Sequence, residues 1–322
     1  MYYFCANIDV MNKMVSKIAT RLVVTIVAGL SAFTFGGCNF SIKGTSAEQN
    51  DTVRVCENIA YGSKERNFFD LYIPAGADKK EEHALILFLH GGSWTSGDKS
   101  SMADDCRFFA ERGYVTATMN YSFLNMLGEE KSDFSTMMTE IATALATIKS
   151  YAATQGVNIT KTALSGYSAG AHLALLYAYS MVEHSPLPVL FAHSKAGPAD
   201  FRTFSPKSAD VQDFMAKMGV DNDEQSVQEL MKNEKIVNMI QTVSPVFYVK
   251  TGAAPAILSY GRQDGLVVWE NVVSMMNALD AAGVKYTLIE YPNSGHGLDK
   301  DADSAQRSVD TMLDYAKKYF GY

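Results

Sequence analysis

The sequence lacks the features that mark several protein classes. Its 322 residues contain no internal repeat, and neither CxxC nor HExxH, two spacings typical of zinc sites, occurs. Beyond the N-terminal segment, lysine and arginine form no cluster, and the formal net charge is −7. Proteins that bind nucleic acid rely on clustered basic side chains. Repeat architectures, zinc enzymes with these motifs and nucleic-acid-binding proteins are therefore not expected.

Cysteine is also scarce, with four residues in the whole chain. Two of them, Cys5 and Cys38, lie in the N-terminal segment. Nothing in the sequence brings Cys56 and Cys106 together, so a disulfide between them and two buried free thiols both stay open.

Hydrophobic residues make up 47% of the chain and charged residues 20%. This suffices for one sizeable α/β domain or two small ones. From residue 52, strand-like runs alternate with helix-like segments, which predicts a mostly parallel sheet flanked by helices. The first two strands are expected to form an antiparallel hairpin at the sheet edge. The predicted strands are 52–61, 67–74, 84–89, 114–119, 162–164, 189–192, 256–258 and 285–291; the predicted helices are 102–112, 134–155, 169–179, 267–282 and 302–320.

Residues 201–242 are polar and helix-like, with no strand pattern. This favours an inserted helical cap that shapes the mouth of a pocket. A helical crossover without a role in recognition is the alternative.

The N-terminal segment has the pattern of an export signal. An apolar run over residues 22–35 follows Lys13, Lys17 and Arg21, and it is too short to span a bilayer. The Phe-Gly-Gly-Cys sequence at 35–38 resembles the lipobox of bacterial lipoproteins. That resemblance implies a signal peptide at 1–37, lipidation of Cys38, and an exported protein anchored to a membrane of the cell envelope or periplasm. The alternatives are an ordinary cleaved signal or an uncleaved anchor helix. Residues 38–51 are small and polar, which predicts a flexible tether.

A G-x-S-x-G pentapeptide at 166–170 places Ser168 between a predicted strand and a predicted helix. In a strand–turn–helix of this kind the serine sits on a tight turn, and the glycines remove the Cβ atoms that would oppose it. The sequence therefore predicts that Ser168 is a nucleophile.

A second glycine-rich stretch, His-Gly-Gly-Ser-Trp at 90–94, follows the apolar strand 84–89. Two glycines directly after a buried strand let backbone amides approach a ligand, as stabilisation of an oxyanion requires. We therefore expect the amides of Gly91 or Gly92, together with that of Ala169, to form an oxyanion hole. A plain glycine-rich turn is the alternative. Trp94 and Tyr167, which lie within these motifs, are expected to contact the substrate.

Together with the loops Gly261–Gly265 and Gly295–Gly297, these motifs resemble those of the α/β-hydrolase superfamily. Within it, they are most similar to the HGG-type carboxylesterases, a group that includes bacterial acetyl-xylan and feruloyl-type esterases and kynurenine formamidases. The resemblance covers residues 52–322 and implies one α/β-hydrolase domain with the cap at 201–242 inserted.

In this superfamily the catalytic triad runs Ser, acid, His along the chain. Asp264 follows a predicted strand, and His296 is the only histidine after it. Asp264 is therefore the expected acid and His296 the expected base, with Asp200 and Glu290 as rival acids. His172, one turn after Ser168, is interpreted as a supporting residue rather than a base. Such a triad needs no cofactor or metal.

The leading hypothesis is a membrane-tethered carboxylic ester hydrolase acting on small acyl esters, with acyl substituents of polysaccharides as one substrate class. An amide or peptide bond hydrolase is the second hypothesis, because the same triad serves ester and amide hydrolysis. A non-catalytic binding lipoprotein is the third. The sequence leaves the oligomeric state open.

Overall fold

A computed structural model describes residues 53–79, 81–124, 132–203 and 234–321. The predicted signal at 1–37, Cys38, the tether at 38–51 and residues 204–233 of the predicted cap lie outside these ranges. The described strands are β1 (Arg54–Ala60), β2 (Phe68–Ile73), β3 (His83–Leu89), β4 (Val115–Met119), β5 (Ile159–Tyr167), β6 (Val189–Lys195), β7 (Ala256–Gly261) and β8 (Tyr286–Tyr291). The described helices are α1 (Ala103–Ala110), α2 (Phe134–Thr154), α3 (Ala169–Ser180), α4 (Glu234–Val243), α5 (Trp269–Ala281) and α6 (Ala302–Phe320).

The eight described strands form one sheet in the order β1-β2-β4-β3-β5-β6-β7-β8. β1 and β2 pair antiparallel, as do β2 and β4, whereas β4, β3, β5, β6, β7 and β8 pair parallel in that order. The predicted edge hairpin and the mostly parallel sheet are therefore confirmed. Because parallel strands share a direction, the loops after β3, β5, β7 and β8 all leave from one edge of the sheet.

Helices cover both faces of the sheet, which explains why the central strands carry apolar residues on both sides. All seven residues of β3 are buried. Side chains of α2 and α3 pack in the core cluster on one face, and those of α1 and α6 pack in the cluster on the other. The two described cysteines are free thiols. Cys56 packs against the first cluster and Cys106 lies within the second, so the sheet separates them.

Most predicted elements are present, but three strands are longer than their apolar runs. β5 spans Ile159–Tyr167, β6 extends to Lys195 and β7 extends to Gly261. Most of the extra positions are polar or glycine, and they enter the ladder through pairs such as Ser165 with His193. Helix α2 begins where predicted, because the Asp133 side chain accepts a hydrogen bond from the Thr136 amide. At the ends of the predicted cap, the described residues form a 3-10 turn at Phe201–Thr203 and helix α4.

Candidate active site

Ser168 occupies a strained turn between β5 and α3. Its backbone angles are φ 53° and ψ −118°, a region that residues other than glycine rarely adopt. A Cβ on Gly166 would overlap the carbonyl group of Gly170, and a Cβ on Gly170 would overlap the carbonyl oxygen of Leu89. The Ser168 amide donates a 2.8 Å hydrogen bond to the Lys195 carbonyl. The motif glycines therefore allow the close backbone contacts that hold the serine in this geometry.

The structure brings Ser168, His296 and Asp264 into one hydrogen-bonded chain. His296 Nε2 lies 2.9 Å from Ser168 Oγ, and His296 Nδ1 lies 2.8 Å from Asp264 Oδ2. Because an ionised carboxylate only accepts, Nδ1–H donates to Asp264 and leaves Nε2 free to accept the serine proton. The Asp264 side chain is fully buried, and that of His296 is 12% exposed. The arrangement can deprotonate the serine hydroxyl when it attacks.

The remaining lone pairs of Asp264 are also used. Its Oδ1 accepts hydrogen bonds from the amides of Leu266, at 2.8 Å, and Val267, at 3.0 Å. These bonds keep residues 266 and 267 in the loop that carries Asp264. Helix α5 therefore begins at Trp269 rather than at the predicted residue 267. They also fix the carboxylate orientation toward His296.

The loop that carries His296 is tied down at two points. Tyr167 Oη donates a 2.9 Å hydrogen bond to the His296 carbonyl. Asp301, just before α6, accepts hydrogen bonds from the Asn293 amide at 3.1 Å and from the Ser294 hydroxyl at 2.5 Å. Neither support is predicted from the sequence. Asp301 directly precedes a predicted helix, a position that would indicate bonds to the amides of that helix, but its side chain makes none of them.

Two of the predicted oxyanion residues, Gly91 and Ala169, lie beside Ser168. A Cβ on Gly91 would sit 3.4 Å from the Ser168 Cβ, so the Gly91 backbone runs alongside the serine. As the first residue of α3, Ala169 has an amide without an acceptor in its own helix. Within the described ranges, the amides of Gly91, Gly92 and Ala169 donate no hydrogen bond to another backbone group.

His90 fixes the start of this glycine loop. Its Nδ1–H donates to the Gly91 carbonyl at 2.7 Å, and its ring stacks on Tyr121 with the centroids 4.3 Å apart. The Tyr121 hydroxyl donates in turn to the His90 carbonyl at 2.8 Å. Burial lowers the pKa of His90 to about 4, so the ring is neutral near pH 7.

The rival acids are engaged elsewhere. Asp200 accepts hydrogen bonds from the Arg202 guanidinium at 2.9 and 2.6 Å, and from the Ser274 hydroxyl. Glu290 accepts from Arg262 at 2.7 Å. Neither carboxylate contacts His296, which leaves Asp264 as the described partner of that ring.

The expectation that Trp94 contacts the substrate is corrected by the structure. Its side chain has no exposed surface, and its Nε1–H donates to His172 Nδ1 at 3.1 Å. The indole packs edge-on against Phe134, with the centroids 5.4 Å apart. Tyr167 is half-buried, and its described role is the bond to the His296 carbonyl. His172 is fully buried with both ring nitrogens bonded, so it is not placed to act as a base.

In the described ranges, no group of three His, Cys, Asp or Glu side chains is arranged to hold a metal ion. In the same ranges, no helix combines the length and the hydropathy that crossing a membrane requires.

Comparison with known proteins gives one family match. Residues 69–279, about two thirds of the chain, match the BD-FAE family. The chain is 31% identical over 121 residues to a probable isoprenylcysteine alpha-carbonyl methylesterase of Oryza sativa, which covers 38% of this chain and 27% of that protein. It is 24% identical over 270 residues to esterase LipQ of Mycobacterium tuberculosis, covering 82% of this chain and 62% of that protein. The chain thus spans less than two thirds of the length of either relative.

Among solved structures, esterase B of Lactobacillus rhamnosis matches with a TM-score of 0.63 at 18% identity. The match covers 82% of this chain and 85% of that chain. Together with the parallel sheet and its flanking helices, it confirms the α/β-hydrolase fold predicted from the sequence.

Proposed function

The chain belongs to the BD-FAE family, and on that premise we propose that it is a serine hydrolase that cleaves carboxylic esters. The observation that carries the proposal is the hydrogen-bonded chain from Ser168 through His296 to Asp264, with links of 2.9 and 2.8 Å. A serine hydroxyl is a weak nucleophile near neutral pH unless a base takes its proton and a carboxylate orients that base. The esterase names of both relatives support an ester as the substrate.

In the proposed acylation step, Ser168 Oγ attacks the acyl carbon while His296 Nε2 accepts its proton. Asp264 stabilises the imidazolium that forms. His296 then gives the proton to the leaving alcohol oxygen as the carbon–oxygen bond breaks. The product of this step is an acyl-enzyme on Ser168.

The negative oxygen of the tetrahedral intermediate lies, in this proposal, against the amides of Gly91 or Gly92 and of Ala169. Each such donor contributes about 3 kcal/mol to stabilising the transition state. Water then attacks the acyl-enzyme with His296 again as base, and the acid product leaves. Each step uses side chains, backbone amides and water.

We propose esters of small acyl groups as the substrates. Ser168 is only 6% exposed, which favours a compact acyl group at the reacting carbon. Acyl substituents of polysaccharides are included in this class, since a large leaving alcohol can remain outside while a small acyl group enters.

We further propose that the protein is exported and anchored to a membrane through lipid on Cys38. The support is the sequence pattern alone, in which basic residues, an apolar run and Phe-Gly-Gly-Cys occur in order. Mass spectrometry of the protein from membrane fractions should show an N-terminal Cys38 with added acyl glyceride. Recovery of unmodified protein that retains residues 1–37 would contradict the anchor without affecting the catalytic proposal.

The catalytic proposal is tested with a panel of nitrophenyl and natural acyl esters, assayed with the wild type and Ser168→Ala. We expect turnover of short acyl esters by the wild type and a loss of at least about 10⁴-fold in kcat for the variant. Ser304→Ala, which removes a buried hydroxyl from α6, is the matched control and should keep activity. Ester turnover that persists in Ser168→Ala would overturn the mechanism, and turnover of amides alone would favour an amide hydrolase.

A further inference from the structure

Trp94 and His172 form a buried link that the proposed reaction steps do not use. The indole Nε1–H donates to His172 Nδ1 at 3.1 Å, and His172 Nε2 lies 2.7 Å from the carbonyl oxygen of Val243. An indole nitrogen only donates and a carbonyl only accepts. His172 must therefore be neutral, with its proton on Nε2, for both bonds to exist.

The surroundings of His172 maintain this state. The imidazole is fully buried and meets Phe134 and Phe201 edge-on, with centroids 5.2 and 5.1 Å away. Burial lowers its pKa to about 4. Because a second ring proton would place two donors face to face at Trp94, protonation would break the link.

The link joins three parts of the molecule at the candidate site. His172 lies on α3, and its amide donates to the Ser168 carbonyl at 3.0 Å. Trp94 belongs to the loop that begins with Gly91 and Gly92. Val243 ends α4, the helix that follows residues 204–233. One imidazole therefore connects the nucleophile helix, the glycine loop and α4.

We propose that His172 is a positioning residue, which sets the glycine loop relative to Ser168 by holding Trp94 on one side and Val243 on the other. The inference rests on the proposed ester hydrolysis. A misplacement of catalytic groups by about 1 Å costs on the order of 100-fold in rate. Loosening this loop therefore lowers kcat more than it raises KM, because the oxyanion develops only in the transition state.

A matched pair of substitutions separates the hydrogen bond from the packing. His172→Asn keeps an acceptor near the position of Nδ1, whereas His172→Leu keeps apolar volume but offers no acceptor. We expect kcat for a short acyl ester to fall about 10- to 100-fold in His172→Leu and less than about 5-fold in His172→Asn, with KM within about twofold in both. Equal losses in the two variants would overturn the proposal.

Trp94→Phe tests the same bond from its other end. It removes the N–H and keeps an aromatic ring, so it should lower kcat in the wild-type background. In the His172→Leu background the same change should have little effect, because the bond is already absent. Fully additive losses in kcat would show that the two residues act separately and would overturn the proposal.

His193→Leu controls for the loss of any buried histidine. His193 is 2% exposed, and its ring Nε2 lies within hydrogen-bond distance of the hydroxyls of both Ser259 and Ser308. The His193→Leu variant should lose thermal stability but keep kcat. A loss of kcat equal to that of His172→Leu would refute a specific role for His172. Nitrogen-15 NMR of the ring should show protonated Nε2 and unprotonated Nδ1 at His172; the opposite tautomer would refute the link.

The activity of the wild type separates a failure of the proposed function from a failure of the positioning role alone. If it hydrolyses no ester in the panel, the proposed function fails, and the positioning role fails with it. If the wild type is active, Ser168→Ala is inert and His172→Leu matches the His193→Leu control, only the positioning role fails.

Discussion

The two oxygens of Asp264 have different tasks. Oδ1 accepts hydrogen bonds from two backbone amides of its own loop, and Oδ2 accepts a 2.8 Å hydrogen bond from His296 Nδ1–H. This division holds the carboxylate so that the imidazole has one tautomer and one orientation. The acid thus acts on the serine through the histidine, across two hydrogen bonds.

Asp264→Asn tests that orientation with almost no change in shape. An amide nitrogen facing Nδ1 donates instead of accepting, which favours the tautomer with the proton on Nε2, where it cannot receive the serine proton. We expect kcat for a short acyl ester to fall by about 10³- to 10⁴-fold. Retention of more than a tenth of the wild-type kcat would show that Asp264 is not the acid.

Gly170→Ala tests why the motif needs its second glycine. The new methyl group would overlap the Leu89 carbonyl oxygen at the end of β3, and backbone cannot move aside as a side chain can. We expect a loss of about 3 kcal/mol in the free energy of unfolding, measured by urea denaturation. Gly265→Ala is the control, since a Cβ there meets nothing within 4 Å, and it should change stability by less than about 0.5 kcal/mol. Equal stability of the two variants would contradict the steric argument.

At the scale of elements, the loop between β8 and α6 delivers the base to the serine. Tyr167, the last residue of β5, donates a hydrogen bond to the His296 carbonyl of this loop. Asp301 accepts hydrogen bonds from Asn293 and Ser294 at the start of the loop. The nucleophile strand therefore anchors the histidine loop through a residue adjacent to Ser168. The Ser168 hydroxyl and the His296 imidazole therefore share one support.

Tyr167→Phe removes that anchor and keeps the ring. We expect kcat to fall about 3- to 10-fold, because His296 samples more orientations, and KM to stay within about twofold. Tyr177→Phe is the control, since its hydroxyl bonds Ser185 away from the triad. A change in KM with unchanged kcat would instead place Tyr167 in substrate binding, which is the role that its position in the motif predicts.

The sequence predicts elements better than it predicts contacts between them. The apolar run of β3 and the Asp133 cap of α2 are local signals, and both elements appear where expected. The polar ends of β5 and β6 are not predicted, because pairing with the neighbouring parallel strands, rather than hydrophobicity, places those residues in strands. Trp94 is expected at the substrate because its neighbours in sequence are the glycines predicted to form the oxyanion hole. Its side chain instead lies in the core and donates to His172, 78 residues away, a contact that no local pattern signals.

At the scale of the whole molecule, three of the buried histidines have lowered pKa values, and they lie in different places. His90 lies in the glycine loop, His172 on the nucleophile helix, and His193 on β6 beside α6. Burial lowers their pKa values from 6.5 to about 4, 4 and 3 respectively. The folded protein keeps all three neutral, whereas the unfolded chain protonates them below about pH 6.5.

The free energy of unfolding should therefore fall as the pH drops from 6.5 toward 4.5. The unfolded state binds up to three more protons than the folded state, which gives a slope of up to about 4 kcal/mol per pH unit. Asp98 adds little in this window. Burial raises its pKa, but hydrogen bonds from Ser100 and Asn120 outweigh burial and lower the pKa from 3.8 to about 2, so its effect on stability begins at lower pH.

His193→Leu isolates one of the three protons. Urea denaturation of this variant between pH 6.5 and 4.5 should give a slope smaller than that of the wild type by about 1.4 kcal/mol per pH unit, because the unfolded variant binds one proton fewer. The stability of His193→Leu at pH 7 depends on how the side chain packs against Ser259 and Ser308. That value does not affect the slope of stability against pH. A variant that loses stability with falling pH as steeply as the wild type would show that His193 is already protonated in the folded protein or titrates normally there, and the buried-histidine account of acid sensitivity would fail.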